Sequence, residues 1–107
     1  MDKKTLLALK DSIMKWENIV SGIGCDNGIK NCDLCLVFIN KSCDGCPVRK
    51  FTGKSYCDST PYDNWMKHFR NIDKDDFPIY ASTKEEINLA KKEVKFLKSL
   101  LPENLKR

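Results

Sequence analysis

The chain of 107 residues carries 19 basic and 15 acidic side chains, a net charge of +4, and is 41% hydrophobic with six cysteines. A chain this short amounts to one domain and buries a smaller share of its surface than a larger one, so the cysteines stand out as a staple. Its longest apolar run, residues 34–39, is far short of the roughly 20 residues that cross a bilayer, and the four apolar residues after Lys3 and Lys4 are too few for a signal-peptide core.

In chain order, Leu6, Leu9, Ile13, Trp16 and Val20 recur at spacings of three and four, which predicts a helix over about 3–21 with Asp2 as its cap and Gly22 and Gly24 as its stop. Residues 22–59 hold every cysteine and few helix signals, and form a cysteine-rich insert. Thr60-Pro61 places a capping hydroxyl before a proline at the first helical position, predicting a short helix over 61–70 through Trp65 and Phe69. Residues 71–81 read as loop. A last helix over 83–101 is predicted from a capping box, either Ser82 with Glu85 or Thr83 with Glu86, and from the stripe Ile87, Ala90, Val94, Leu97 and Leu101, with Pro102 ending it. The expected fold is mainly α: a single small helical domain whose core includes Trp16, Val20, Val94, Leu97 and Leu101. A zinc-binding loop or short hairpin is inserted in it.

Cys32-x-x-Cys35 and Cys43-x-x-Cys46 are two pairs seven residues apart, with Cys57 after them and Cys25 before. The two-residue gap lets a tight turn aim two thiolates at one ion, and two such turns make the tetrahedral sulfur set that zinc prefers. Residues 36–42 have the composition of a strand and turn that would fold the second pair back on the first. In a reducing cytosol, where this chain is expected to reside, metal ligation is favoured over a disulfide framework. By spacing the ligands are Cys32, Cys35, Cys43 and Cys46, with Cys57 able to displace one. An iron–sulfur cluster also takes four thiolates, but neither ferredoxin spacing is present.

The run Cys32-x-x-Cys35, Cys43-x-Gly45-Cys46-Pro47-Val48, Thr52-Gly53-Lys54, Cys57 and Ser59-Thr60-Pro61-Tyr62 resembles the small cysteine-rich proteins encoded in bacteriophage and prophage genomes. The resemblance covers roughly residues 32–65. It implies a phage-type origin, hence the cytoplasm of a bacterial host. It also implies a ligand set of Cys32, Cys35, Cys43, Cys46 and Cys57, four of the five closing on zinc. It supplies neither a reaction nor a partner.

The remaining candidates carry less. His68, the single histidine, has no partner in the sequence for triad chemistry and is read as solvent-exposed. Asp73, Asp75 and Asp76 lack the glycine and closing glutamate of a calcium loop. Residues 22–28 have glycines without a phosphate-binding ending, and read as turns. Arg49, Lys50 and Lys54 make a small basic loop beside the cysteines, the candidate binding residues for a phosphate. Lys84, Lys91, Lys95 and Lys98 follow helical spacing opposite the apolar stripe, the ordinary pattern of a solvated face. Trp16, Trp65, Tyr62 and Phe51 are core aromatics or interface anchors. The expected function is therefore stoichiometric binding to a host protein, stabilised by structural zinc, without enzymatic turnover, membrane or small-molecule substrate. The alternative is a nucleic-acid-binding zinc module using Arg49, Lys50, Lys54 and the last helix.

Overall fold

A computed structural model describes residues 1–38, 45–53, 60–69 and 78–103. Among these the chain is mainly helical: α1 (Lys3–Val20), a 3-10 turn (Gly28–Asn31), α2 (Asp33–Phe38), α3 (Pro47–Thr52), α4 (Pro61–His68) and α5 (Lys84–Ser99).

The two long helices form where their caps and periods place them. The Asp2 carboxylate accepts the Thr5 backbone N–H at 2.7 Å, satisfying one of the amides that a helix start leaves unpaired. At the other end the N–H groups of Ile23 and Gly24 both return to the Asn18 carbonyl. Gly22 takes a positive φ of 81°, and a Cβ on Gly24 would sit 2.7 Å from that of Asn18, so both positions require glycine for the chain to turn back over the helix end. In α5 the Thr83 hydroxyl accepts the Glu86 N–H while the Glu86 carboxylate accepts the Thr83 N–H, a complete capping box that also gathers the Ser82 N–H. In α4, Pro61 starts the helix as expected, although the Thr60 hydroxyl makes no capping hydrogen bond.

The described residues of the cysteine-rich insert are more helical than their composition suggested. Residues 36–38, open to a strand reading, belong to α2, because Cys32 occupies the cap position and its carbonyl accepts the Leu36 N–H at 2.9 Å. Arg49, Lys50 and Thr52 sit in α3 rather than in a basic loop. Pro47 at the first helical position and Gly53 in the left-handed region at its end bound that helix.

α1 packs chiefly against α5 and α2, and α4 packs against α5. Leu9, Ile13, Trp16 and Ile19 of α1 meet Leu34 and Phe38 of α2, Val48 of α3, Trp65 of α4, and Ala90 and Leu97 of α5 in one core. Leu6 and Val20, expected on the buried stripe, are only partly covered, as are Val94 and Leu101. Trp65 stands edge-on to Trp16 at 5.1 Å and to Phe69 at 4.9 Å, and Trp16 edge-on to Tyr62 at 5.7 Å.

One polar side chain is sealed inside this apolar packing. Asp26, fully buried, accepts Lys15 Nζ and the Gly28 N–H on one oxygen, each at 2.9 Å, and Trp65 Nε1 at 3.0 Å on the other. Its backbone pairs with Ile79 through two hydrogen bonds of 2.8 Å, an isolated antiparallel bridge. All three side-chain partners are donors, so Asp26→Asn leaves the Lys15 ammonium without its counter-charge and turns an amide NH2 toward a donor. We expect that substitution to cost roughly 3–5 kcal/mol in urea denaturation, against about 1 kcal/mol for Thr83→Ala at the capping box of α5.

Candidate functional site

The first Cys-x-x-Cys pair is positioned by the start of α2. Cys32 lies just before Asp33, and its sulfur accepts the Cys35 backbone N–H at 3.3 Å, so the pair spans the first helical turn with the thiol acting as the cap. Leu34 between them points into the core, and its N–H meets the Ser12 hydroxyl of α1 at 3.4 Å. The hydrogen bond from the Cys35 thiol brings Cys32 down to about 7 against the opposing effect of burial, helped by the Cys35 backbone and the Lys15 charge. At neutral pH this sulfur is substantially thiolate, the form that ligates metals and attacks electrophiles.

Beside it lies a buried carboxyl on α5. Glu93 of α5 is 4% exposed, and its Oε1 has no hydrogen-bond partner. Burial pushes its pKa up to about 8, the neighbouring Cys32 and Asp26 charges push the same way, and Lys15 opposes them. At neutral pH Glu93 is therefore a neutral acid, next to a Lys15–Asp26 pair that is nearly sealed from water. The signal was available: position 93 falls three residues after Ala90 and four before Leu97, on the apolar stripe. Lys15 and Asp26 had no such signal, since Asp26 lies in a glycine-containing turn and meets Trp65 from 39 residues away. On the surface nearby, Asp33 is raised by desolvation and by a hydrogen bond and like charge from Asp11.

The expected ligands divide as follows. Cys32 and Cys35 are brought together, and Cys46 is buried at the start of α3. Cys43, Cys57 and the basic residue Lys54 lie outside the described residues, as do Asp73, Asp75 and Asp76. Among the described residues no three Cys, His, Asp or Glu side chains gather around one point. Cys25 is half-buried, and its carbonyl accepts the Asn31 side-chain amide. His68 is exposed, as expected, and also links α4 to α5: its Nε2 is 2.9 Å from Glu86 and its Nδ1 3.7 Å from Glu85. Burial works against the charge on Glu86, but the Ser82 N–H, His68 and the Thr83 N–H together hold it below the usual carboxylate range. Trp16 and Trp65 are core residues, Tyr62 is half-buried, and Phe51 is exposed with its ring edge-on to Phe96. No protein-family model, curated protein or solved structure matches the chain.

The Glu93 carboxyl fixes the sign of a pH dependence. Between the ordinary value of 4.5 and about 8 the folded protein holds a proton that the unfolded chain releases, so this group makes stability fall as pH rises through that window and level off above it. Glu93→Gln keeps the shape and neutrality of the protonated acid. Its unfolding free energy in urea is expected to match the parent at the acid end and to exceed it at the alkaline end, by on the order of a few kcal/mol. Equal pH slopes in the two proteins would show that Glu93 titrates normally.

Proposed function

We propose that this chain is a small phage-type accessory protein that acts in the cytoplasm of a bacterial host by stoichiometric binding to a host protein, in host takeover or counter-defence, with a structural zinc held by its cysteines. The observation that carries the binding part is the outer face of α1. Leu7 and Met14 are 60% and 58% exposed and lie two turns apart, on a stripe shared with the exposed Lys3 and Lys10. The opposite face of α1 already supplies the core, so folding does not call for these two apolar side chains. A helix presenting apolar anchors at i and i+7 is suited to a hydrophobic groove on a partner, and lysines beside them favour a groove with an acidic rim. The phage-type origin rests on the resemblance over residues 32–65.

The test is capture from a bacterial lysate with and without nuclease. One stoichiometric protein should survive nuclease with the parent chain, and its recovery should fall at least about tenfold with Leu7→Glu/Met14→Glu, since losing a central anchor typically costs 1–2 kcal/mol or more. The melting temperature of the variant should stay unchanged, because neither side chain is in the core. Undiminished recovery by the variant, or recovery of many proteins that nuclease abolishes, would reject this surface.

Zinc is supported by the Cys32–Cys35 pair, whose shared helical turn and acidic thiol suit half of a tetrahedral thiolate set. When bound, the ion would supply a cross-link and no reaction step, and two of Cys43, Cys46 and Cys57 would provide the remaining sulfurs. Elemental analysis is expected to find one zinc per chain in the parent and in Cys25→Ser, and none in Cys32→Ser or Cys35→Ser, with chelation lowering the melting temperature and the helical circular dichroism. A metal-free parent with the same melting curve would exclude a structural ion.

A further inference from the structure

α5 sorts its charges by sign. Two of its three acids are engaged by the protein, Glu86 in the capping box and against His68 and Glu93 buried in the core, while Glu85 stays at the surface, 75% exposed and 3.7 Å from His68. Of its five lysines, Lys98 is paired with Glu17 at 3.1 Å. Lys84, Lys91, Lys92 and Lys95 are exposed, and none is ion-paired among the described residues. Lys84, Asn88, Lys91 and Lys95 follow the spacing i, i+4, i+7, i+11, which on a 3.6-residue period makes one straight stripe opposite Ala90, Glu93 and Leu97. At 1.5 Å per residue the stripe runs about 16 Å along the helix. With five lysines against three acids, this one helix carries +2 of the chain's net charge of +4.

We propose that the outer face of α5 binds the phosphate backbone of nucleic acid without reading its sequence, an activity separate from protein binding through α1. The chemistry of the stripe favours phosphate over an acidic protein. Between the lysines stands Asn88, a side chain able to hydrogen-bond to phosphate oxygens, and no large apolar side chain. Protein interfaces depend on buried aromatic and apolar anchors and are depleted in lysine at their centres. α5 has no arginine, the residue best suited to read guanine edges through two bonds, so the contact is to the backbone. Arg49 and Lys50 belong to α3 and are not needed for it.

Fluorescence anisotropy of the full chain with a labelled duplex DNA of about 20 base pairs, and with a labelled single strand of the same length, tests this across a salt series. Four phosphate contacts give a slope of log affinity against log salt of about −3.6 on duplex, or a roughly hundredfold loss between about 50 and 200 mM salt, equal for unrelated sequences. Lys84→Gln/Lys91→Gln/Lys95→Gln should reduce the slope by about 2.7, and the corresponding triple glutamate variant should abolish binding. Lys3→Glu/Lys4→Glu/Lys10→Glu changes the net charge by the same amount on α1 and should retain binding. No binding at low salt, equal loss in both triple glutamate variants, or binding of poly-L-glutamate in place of DNA would each overturn the proposal. None of these outcomes bears on Leu7 and Met14, so failure here is distinguishable from failure of the protein-binding reading.

Discussion

The arrangement depends on burying one carboxylate at the point where four segments meet. Asp26 takes hydrogen bonds from α1 through Lys15, from its own turn through Gly28 and from α4 through Trp65, while its backbone pairs with Ile79 ahead of α5. An ion pair withdrawn from water is weak as a source of net stability, because desolvation cancels most of the attraction. Its strength lies in what it forbids. With three donors converging on two oxygens, sliding α4 or the residue 79 segment away from α1 strands a buried charge or a buried indole N–H, so alternative packings of the same apolar side chains are penalised.

That constraint sets the state of its neighbours. Lys15 has a carboxylate already and offers little further compensation to a second one, so the nearby Glu93 is driven to its neutral form by burial and by the negative groups around it. The same surroundings act in the opposite sense on Cys32, whose sulfur gains two hydrogen bonds from Cys35 and the attraction of Lys15 while Asp26 opposes it. A thiol whose pKa is lowered and an acid whose pKa is raised are therefore products of one electrostatic environment. The Cys-x-x-Cys spacing contributes the rest, since only a three-residue offset places the Cys35 N–H over the Cys32 sulfur in the first turn of α2.

What the sequence made legible follows from how local each determinant is. α1 and α5 are written in periodicity and in caps whose partners lie three residues apart, Asp2 with Thr5 and Thr83 with Glu86, so both could be read directly. α3 spans six residues, too few for a period to register; its proline start and glycine stop were present but stood inside a motif read as loop. The strand reading of residues 36–38 failed because an apolar run of that length fits either structure, and the cap at Cys32 decided it. The candidate site was legible only in its thiols. Glu93 was hidden by the habit of assigning glutamates on helices to solvent. Asp26 owes its role to Lys15, Trp65 and Ile79, which are distant in sequence and which no local pattern connects.

The buried acid also shapes the surface. If position 93 carried its charge outward, α5 would balance part of its lysine excess along its own length, and if Glu86 were free of His68 it would do the same at the helix start. Instead the contacts that dock α5 against α4 and the core engage Glu86 and Glu93, and the lysines are left on the face that no described helix covers. The sign of the outer surface is thus a consequence of the interior packing. The same division holds on α1, where small and polar residues, Thr5, Ala8 and Ser12, fill buried positions close to neighbouring helices while Leu7 and Met14 remain outside. Leu9, Ile13, Trp16 and Ile19 already supply the core from this helix, and the two apolar side chains left exposed are available to a second molecule.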